Sequence, residues 1–228
     1  MTPIEIEADS WESGCEFDDV RNHFVIPELT SYLQAGGIRR IADIGCGTGY
    51  ISRALTNIRI ADGPAEWLLL DRDPRILEFA RDRFPAVRAE FVAADLQRFL
   101  GSWRSAPYDL AFCAYTLLEV VQLEAFADSL KLLVPGGYIV LFVPDPLDDI
   151  LRHHEQYQFP LDNLLLREDH HLVKLDPFTN RQQTFIARQV IRYVEVFIDE
   201  STSLSAVSSY RSRGGTRHYM LSFSRYAI

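Results

Sequence analysis

Across the first two thirds of the chain, short apolar runs alternate with stretches in which apolar residues recur every three or four positions. The runs "RRIADIG", "EWLLLD", "AEFVAAD", "YDLAFCAY" and "PGGYIVLFVPDP" read as five buried strands. Between them, "YISRALTNI" places Ile51, Leu55 and Ile58 on one helical face, and "PRILEFARDRF" opens on Pro74, which a first helical turn accepts. "LQRFLGSW" and "LLEVVQLEAFADSLKLL" complete the series of helical crossovers. This alternation predicts an α/β fold with a doubly wound parallel sheet, whose ligands bind beyond the carboxyl ends of the strands.

The remainder follows a different pattern. "PLDDILRHHEQYQF" has helical spacing, the stretch after it is rich in turn formers, and "QQTFIARQVIRYVEVFI" is read as a helix despite its β-branched content. "SLSAVSSY" and "RHYMLSFSR" flank a Gly-Gly turn and predict an antiparallel pair closing one edge of the sheet. Ahead of the first strand, "FVIPELTSYLQAGG" reads as a helix with Pro27 early and Gly36-Gly37 after it, expected near the mouth of the ligand crevice. The whole chain, 1–228, is thus one expected domain. It divides into a helical cap (1–37), a ligand-binding core (38–143), a substrate-cover insertion with a helix (144–200) and a β-hairpin (201–228).

Composition narrows the partners. The net charge is −9, and an acidic surface repels phosphate backbones, so nucleic acid is not the expected partner. Arg211, Arg213 and Arg217 form a local basic cluster, read as a solvated hairpin. Cys15, Cys46 and Cys113 make neither a CxxC pair nor an even framework, which suits a reducing compartment. The first residues are acidic and lack an apolar signal core, and no run of about 18 apolar residues occurs, so a cytoplasmic protein without a membrane span is expected. Nothing in the pattern sets an oligomeric state.

The chemistry concentrates in "IADIGCGTGY". A dinucleotide loop needs GxGxxG, but here the spacing is Gly45, Gly47, Gly49, and Tyr50 stands where the third glycine would be. A triphosphate loop needs a lysine that is missing. Asp43 just ahead of the turn disfavours a polyanion and favours a cation. Asp71 ends the second strand, where a carboxylate can accept from both ribose hydroxyls. Asp95, with Ala94 before it and Leu96 after it, ends the third, where it can accept from an exocyclic amine while Leu96 covers a ring. Each acid could instead be a helix N-cap. Three together at successive strand ends favour a cation bearing adenosine.

"IADIGCGTGYISRAL", "LLLDRDPRILEFAR", "FVAADL", "YDLAFCAYTLLEV" and "LLVPGGYIVLFVPDP" resemble, in order and spacing, the motifs of class I S-adenosylmethionine-dependent methyltransferases. The resemblance runs from about residue 15 to about residue 145. It implies a Rossmann-like, seven-stranded, mostly parallel sheet with the last strand antiparallel, and S-adenosyl-L-methionine as cofactor. It further implies that Gly45, Cys46, Gly47 and Gly49 line the methionine part, with Asp43 nearby. Asp71 would hold the ribose, with Arg72 beside the adenine and Ala94, Asp95 and Leu96 against it. Cys113 would lie near the reacting end, Phe17 would close over the cofactor, and Arg21 would reach a carboxylate.

For the acceptor, candidates after the fourth and fifth strands are Tyr115, Glu119, Asp145, His153 and His154. Glu119 stands where many relatives carry histidine, so an inherited histidine role does not transfer. It also reads as a plain helix-face carboxylate. Adjacent histidines diverge on a helix, and no HxxxH or HExxH spacing occurs, so no metal site is expected. The D/N-P-P-Y/F signature of adenine or glutamine amino-methylation and the Pro-Cys of cytosine C5 enzymes are both missing. Tyr157, Phe159 and Phe178 in the cover point to an apolar acceptor, with an aromatic small molecule among the candidates and a peptide as the second, methylated on oxygen or nitrogen. Two alternatives remain open: other chemistry with the same cofactor, and binding without turnover.

Overall fold

The computed structural model describes residues 15–58, 66–85, 88–116, 122–144 and 193–226. Five parallel strands and an antiparallel pair form a seven-stranded sheet. The strands are β1 (Arg40–Ile44), β2 (Glu66–Asp71), β3 (Ala89–Ala93), β4 (Leu110–Ala114), β5 (Tyr138–Pro144), β6 (Thr202–Arg211) and β7 (Arg217–Arg225). They lie in the order β3-β2-β1-β4-β5-β7-β6. β7, the last in the chain, runs antiparallel to both β5 and β6, and all other neighbours among the first five are parallel. The expected sheet and its antiparallel last strand are therefore what the chain forms.

Helices α1 (Cys15–Val20) and α2 (Ile26–Ala35) precede the sheet, joined by a π-helical turn at Arg21–Val25. The crossovers are α3 (Tyr50–Thr56), α4 (Pro74–Arg83), α5 (Leu96–Ser102) and α6 (Leu123–Leu133). Proline opens α4 as its restricted φ allows, and Asp73 caps that helix by accepting from the Arg75 N–H. The α3 pattern ends early: Ile51 and Leu55 are buried, and Ile58 lies beyond the last turn. Of the expected 144–200 cover, Pro144 ends β5, helical backbone occurs at 193–197, and 145–192 lie outside the described residues.

Alternation along each strand sorts the core into two layers. One layer sets Ala42, Leu68, Ala111 and Leu141 against α5 and α6; the other sets Ile41, Leu69, Phe112 and Val140 against α2, α3 and α4. Central strands buried on both faces explain why they read as unbroken apolar runs.

The N-terminal helices cover the second layer and reach the hairpin. Phe24 stacks on Tyr210 at 5.7 Å and meets Phe142 edge-on at 5.6 Å. Buried Asp19 accepts from the Tyr210 hydroxyl (3.0 Å) and the Arg213 N–H (2.8 Å) and pairs with the Arg213 guanidinium (3.2 Å). The Arg213 backbone hydrogen bond is the main influence holding the Asp19 carboxyl below its ordinary value. The basic cluster is thus part of the hairpin: Arg213 fastens it to α1, and Arg211 donates to the Gly215 carbonyl across its turn.

Candidate active site

The polar groups at the two ends of the sheet are arranged differently. At the amino end they close on one another, with Asp109 accepting the Arg39 and Arg40 N–H groups (2.8 Å each) and Arg40 paired to Glu66. At the carboxyl end a turn of backbone amides meets carboxylates. Residues 45, 47 and 49 all have positive φ, which is why each is glycine. The turn is pinned to β2, because the Gly45 and Cys46 N–H groups both donate to the Leu70 carbonyl.

Each glycine does something different. A side chain on Gly45 would run into the Thr116 side chain, whose hydroxyl donates to the Ile44 carbonyl at 3.0 Å. A Cβ on Gly47 would meet nothing within 4 Å, so this is where the turn opens to a ligand. At Gly49 a Cβ would press on Leu69 and Ala80 at 3.2 and 3.3 Å, so this glycine faces the packing between α3, β2 and α4. Gly49 therefore does, one residue earlier, what the last glycine of a dinucleotide loop does for helix–strand packing. Tyr50 is spared that contact. It turns toward the N-terminal segment, with its hydroxyl donating to Asn22 (3.0 Å) and the Arg21 and Arg53 guanidinium groups over its ring at 5.5 and 5.7 Å.

Asp71 ends β2 with its carboxylate across the turn. One oxygen accepts the Gly47 N–H (2.9 Å) and the other the Asp73 N–H (3.0 Å). Each oxygen keeps a lone pair, so two hydroxyls can still bind side by side. Asp95, by contrast, is an exposed N-cap of α5, accepting the Arg98 N–H at 2.8 Å. Asp95 thus caps a helix, whereas Asp71 and Asp43 do not. Ala94 is half-buried and donates to the Asp71 carbonyl (2.9 Å), and Arg72 is exposed beside the crevice.

Asp43 lies beneath the turn, 2% exposed, and accepts the Ser52 hydroxyl at 2.6 Å. Burial pushes its carboxyl up to about 7; the Asp71 charge adds to this and the Ser52 hydrogen bond opposes it. The folded value lies above the unfolded one, so this group stabilises the fold at acid pH and loses that contribution as pH rises through 7. The swing is at most about 4 kcal/mol. Asp43→Asn is neutral throughout and is expected to flatten stability between pH 4 and 8. Urea unfolding at several pH values checks this, and an unaltered slope would contradict it.

Two sequence expectations meet a different geometry. Leu96 is 4% exposed and packs in the α5–α6 core layer rather than standing free over a ring site. Cys113 is fully buried in the same layer. Burial raises both the Cys113 and Cys46 thiols well above their ordinary value, so neither is a ready thiolate. Phe17 lies on α1, with only its backbone described; Glu119, Asp145, His153 and His154 lie outside the described residues. Among the described residues no cluster of three or more His, Cys, Asp or Glu could hold a metal ion, and no helix is long and apolar enough to cross a membrane.

Tyr115 is half-buried just beyond β4, and its ring meets that of His218 edge-on at 5.6 Å. His218 was not among the sequence candidates. It sits in "RHYMLSFSR", which carries only a strand signal, and only the pairing of β7 with β5 brings it opposite Pro144 at the ligand end.

Sheet order, the glycine turn and the two acids beside it define a Rossmann-like domain with its ligand crevice at the carboxyl end of β1 and β2. Residues 41–137 match the family model described as a methyltransferase domain. Over this stretch the chain is similar to S-adenosylmethionine-dependent methyltransferases. It is 33% identical over 136 residues to trans-aconitate 2-methyltransferase of Rhizobium leguminosarum bv. trifolii (strain WSM2304), a match covering 59% of this chain and 49% of that protein. The chain thus spans about half the length of the curated relatives it matches. Two solved structures share the fold. The plantazolicin methyltransferase BpumL in complex with SAH aligns with a TM-score of 0.62 and 14% identity, over 98% of this chain and 91% of that one. An S-adenosylmethionine-dependent methyltransferase from Mesorhizobium loti aligns with a TM-score of 0.57 and 19% identity, over 87% and 96%.

Proposed function

We propose that this protein transfers a methyl group from S-adenosylmethionine to oxygen or nitrogen of a small molecule, with a carboxylic acid as the favoured acceptor. The observation that carries the cofactor half is the Asp71 carboxylate held over the open face of Gly47. It offers a paired acceptor for ribose hydroxyls beside a backbone that a flat ligand can approach. Buried Asp43 behind the turn, with its carboxyl pushed up to about 7, favours a cation over a pyrophosphate, because a positive charge beside it draws the group into its ionised form. The residues therefore fit the cofactor. Gly45, Gly47 and Asp43 would border its methionine part, Asp71 its ribose, and Arg72, Ala94 and Asp95 its adenine.

When bound, S-adenosylmethionine supplies a methyl group already activated on a sulfonium, leaving a neutral thioether behind. The chain's own work is then to orient the acceptor in line and to exclude water. The carboxylic acceptor is supported by the name of the trans-aconitate relative. A carboxylate is already ionised at neutral pH, so the attacking oxygen needs no base; a phenol would need one.

Calorimetry with S-adenosylmethionine, S-adenosylhomocysteine and NAD tests the cofactor, and tritiated methyl transfer to trans-aconitate, other carboxylic acids, amines and phenols tests the acceptor. The expected result is binding of both sulfur nucleosides and labelled ester. NAD binding without sulfonium binding would overturn the reading. Binding without product across the panel would favour a non-catalytic protein.

A further inference from the structure

Next to the cofactor cradle the backbone is strained at one point. Tyr115 has φ +67°, the left-handed region, and among the described residues no other side-chain-bearing residue does. A bulky residue in that pose costs about 1–2 kcal/mol and persists only where its surroundings hold it. Here they do so from three directions. The Tyr115 N–H donates to the Phe142 carbonyl of β5 at 3.0 Å. The next residue, Thr116, is tied by its hydroxyl to the Ile44 carbonyl under the glycine turn. The third support is His218, 3% exposed, whose ring stands at 90° to the phenol.

The sheet accounts for that last support. The β5–β7 register sets His218 opposite Pro144, and the β6–β7 register sets it opposite Tyr210, so its backbone is held between two strands. Tyr115 is consequently clamped between the inserted hairpin and the turn that would carry the cofactor.

We propose that His218 is a positioning residue for the methyl acceptor, acting through the Tyr115 ring. The inference rests on the methyltransferase reading above and deepens it. In-line displacement loses rate steeply when the acceptor is misplaced by about 1 Å. A ring whose backbone is tied to the glycine turn through the following residue is suited to be the wall against which the acceptor is aligned. Edge-to-face contact with an aromatic partner sets such a ring's tilt. For a carboxylate acceptor no proton need be removed, so His218 is assigned support of the ring and no proton transfer.

His218→Ala and His218→Phe separate the possibilities. With the ring protons of Tyr115 followed by NMR in the S-adenosylhomocysteine complex, His218→Ala is expected to shift and average the signals. His218→Phe, which keeps an edge-to-face partner, is expected to restore them. Titration of the complex with trans-aconitate and with a simple phenol should move those signals in the parent protein. With an accepted substrate, His218→Ala should lower kcat about tenfold or more at unchanged KM for S-adenosylmethionine, with His218→Phe within about threefold of the parent. Tyr115 signals indifferent to the Ala variant, or to every acceptor probe, would overturn the proposal. So would a kcat loss matched by an equal loss of S-adenosylhomocysteine affinity. If the parent failed to bind S-adenosylhomocysteine at all, the methyltransferase reading itself would fall, whereas loss of the His218 effect alone leaves that reading intact.

Discussion

Gly45→Ala should unseat the cofactor turn, lowering Tm by roughly 5–15 °C and removing measurable S-adenosylhomocysteine binding. Two costs add at this residue. Its φ of +71° is one that an alanine adopts only with strain of about 1 kcal/mol. The new methyl group also lands on the Thr116 side chain, and forcing extra volume into a packed site costs about 1–3 kcal/mol. Relief requires Thr116 to swing away, which gives up its hydrogen bond to the Ile44 carbonyl. Scanning calorimetry with and without ligand measures both effects. Thr116→Gly in the Gly45→Ala background should recover the packing share and leave the dihedral share. A single variant with parental Tm and ligand affinity would refute the account.

Asp71→Asn should weaken S-adenosylhomocysteine binding by about 30–100-fold, corresponding to roughly 2–3 kcal/mol. The change keeps the shape and alters what the group can accept. In the parent each carboxylate oxygen already takes one backbone N–H, from Gly47 or from Asp73, and has a lone pair left for a ligand hydroxyl. An amide presents NH2 on one side, so one of the two backbone donors faces another donor and the matching hydroxyl loses its acceptor. Asp95→Asn provides the contrast. Asparagine caps a helix about as well as aspartate, so the α5 cap should survive, and affinity should fall by less than about threefold. Equal losses at the two positions in isothermal titration would break the distinction drawn between them.

Most of the sheet is legible in the chain because its central strands are buried on both faces and bounded by turn formers. "IADI" and "LLLD" have no competing helical period, and the Gly-Gly turn between "SLSAVSSY" and "RHYMLSFSR" announces the hairpin. The individual acids are less legible. Asp73 and Asp95 cap helices while Asp71 bridges the glycine turn, yet all three follow strands in similar surroundings. What separates them is which donor lies across the crevice, a matter of tertiary placement. Leu96 and Cys113 show the same limit: Leu96 opens α5 and Cys113 lies near the end of β4, but helix phase and pleat turn their side chains into the core. His218 could not be singled out at all, because its relation to Tyr115 passes through β5 and depends on residues far apart in the chain.

The insertion of β7 between β5 and β6 also bears on how the molecule is assembled. β6 precedes β7 in the chain, yet among the described residues its only strand partner in the sheet is β7, so β6 has no seat until its successor exists. β6 can therefore join the sheet only together with β7 or after it. Hairpin formation takes microseconds, and the long sequence separation between β5 and the hairpin makes the docking the slower event. Until then β5 exposes one edge, and neither His218 nor the fastening of α1 through Arg213 is in place. A core of β1–β5 without the docked hairpin would thus lack both the His218 contact with Tyr115 and the Arg213 tie to α1.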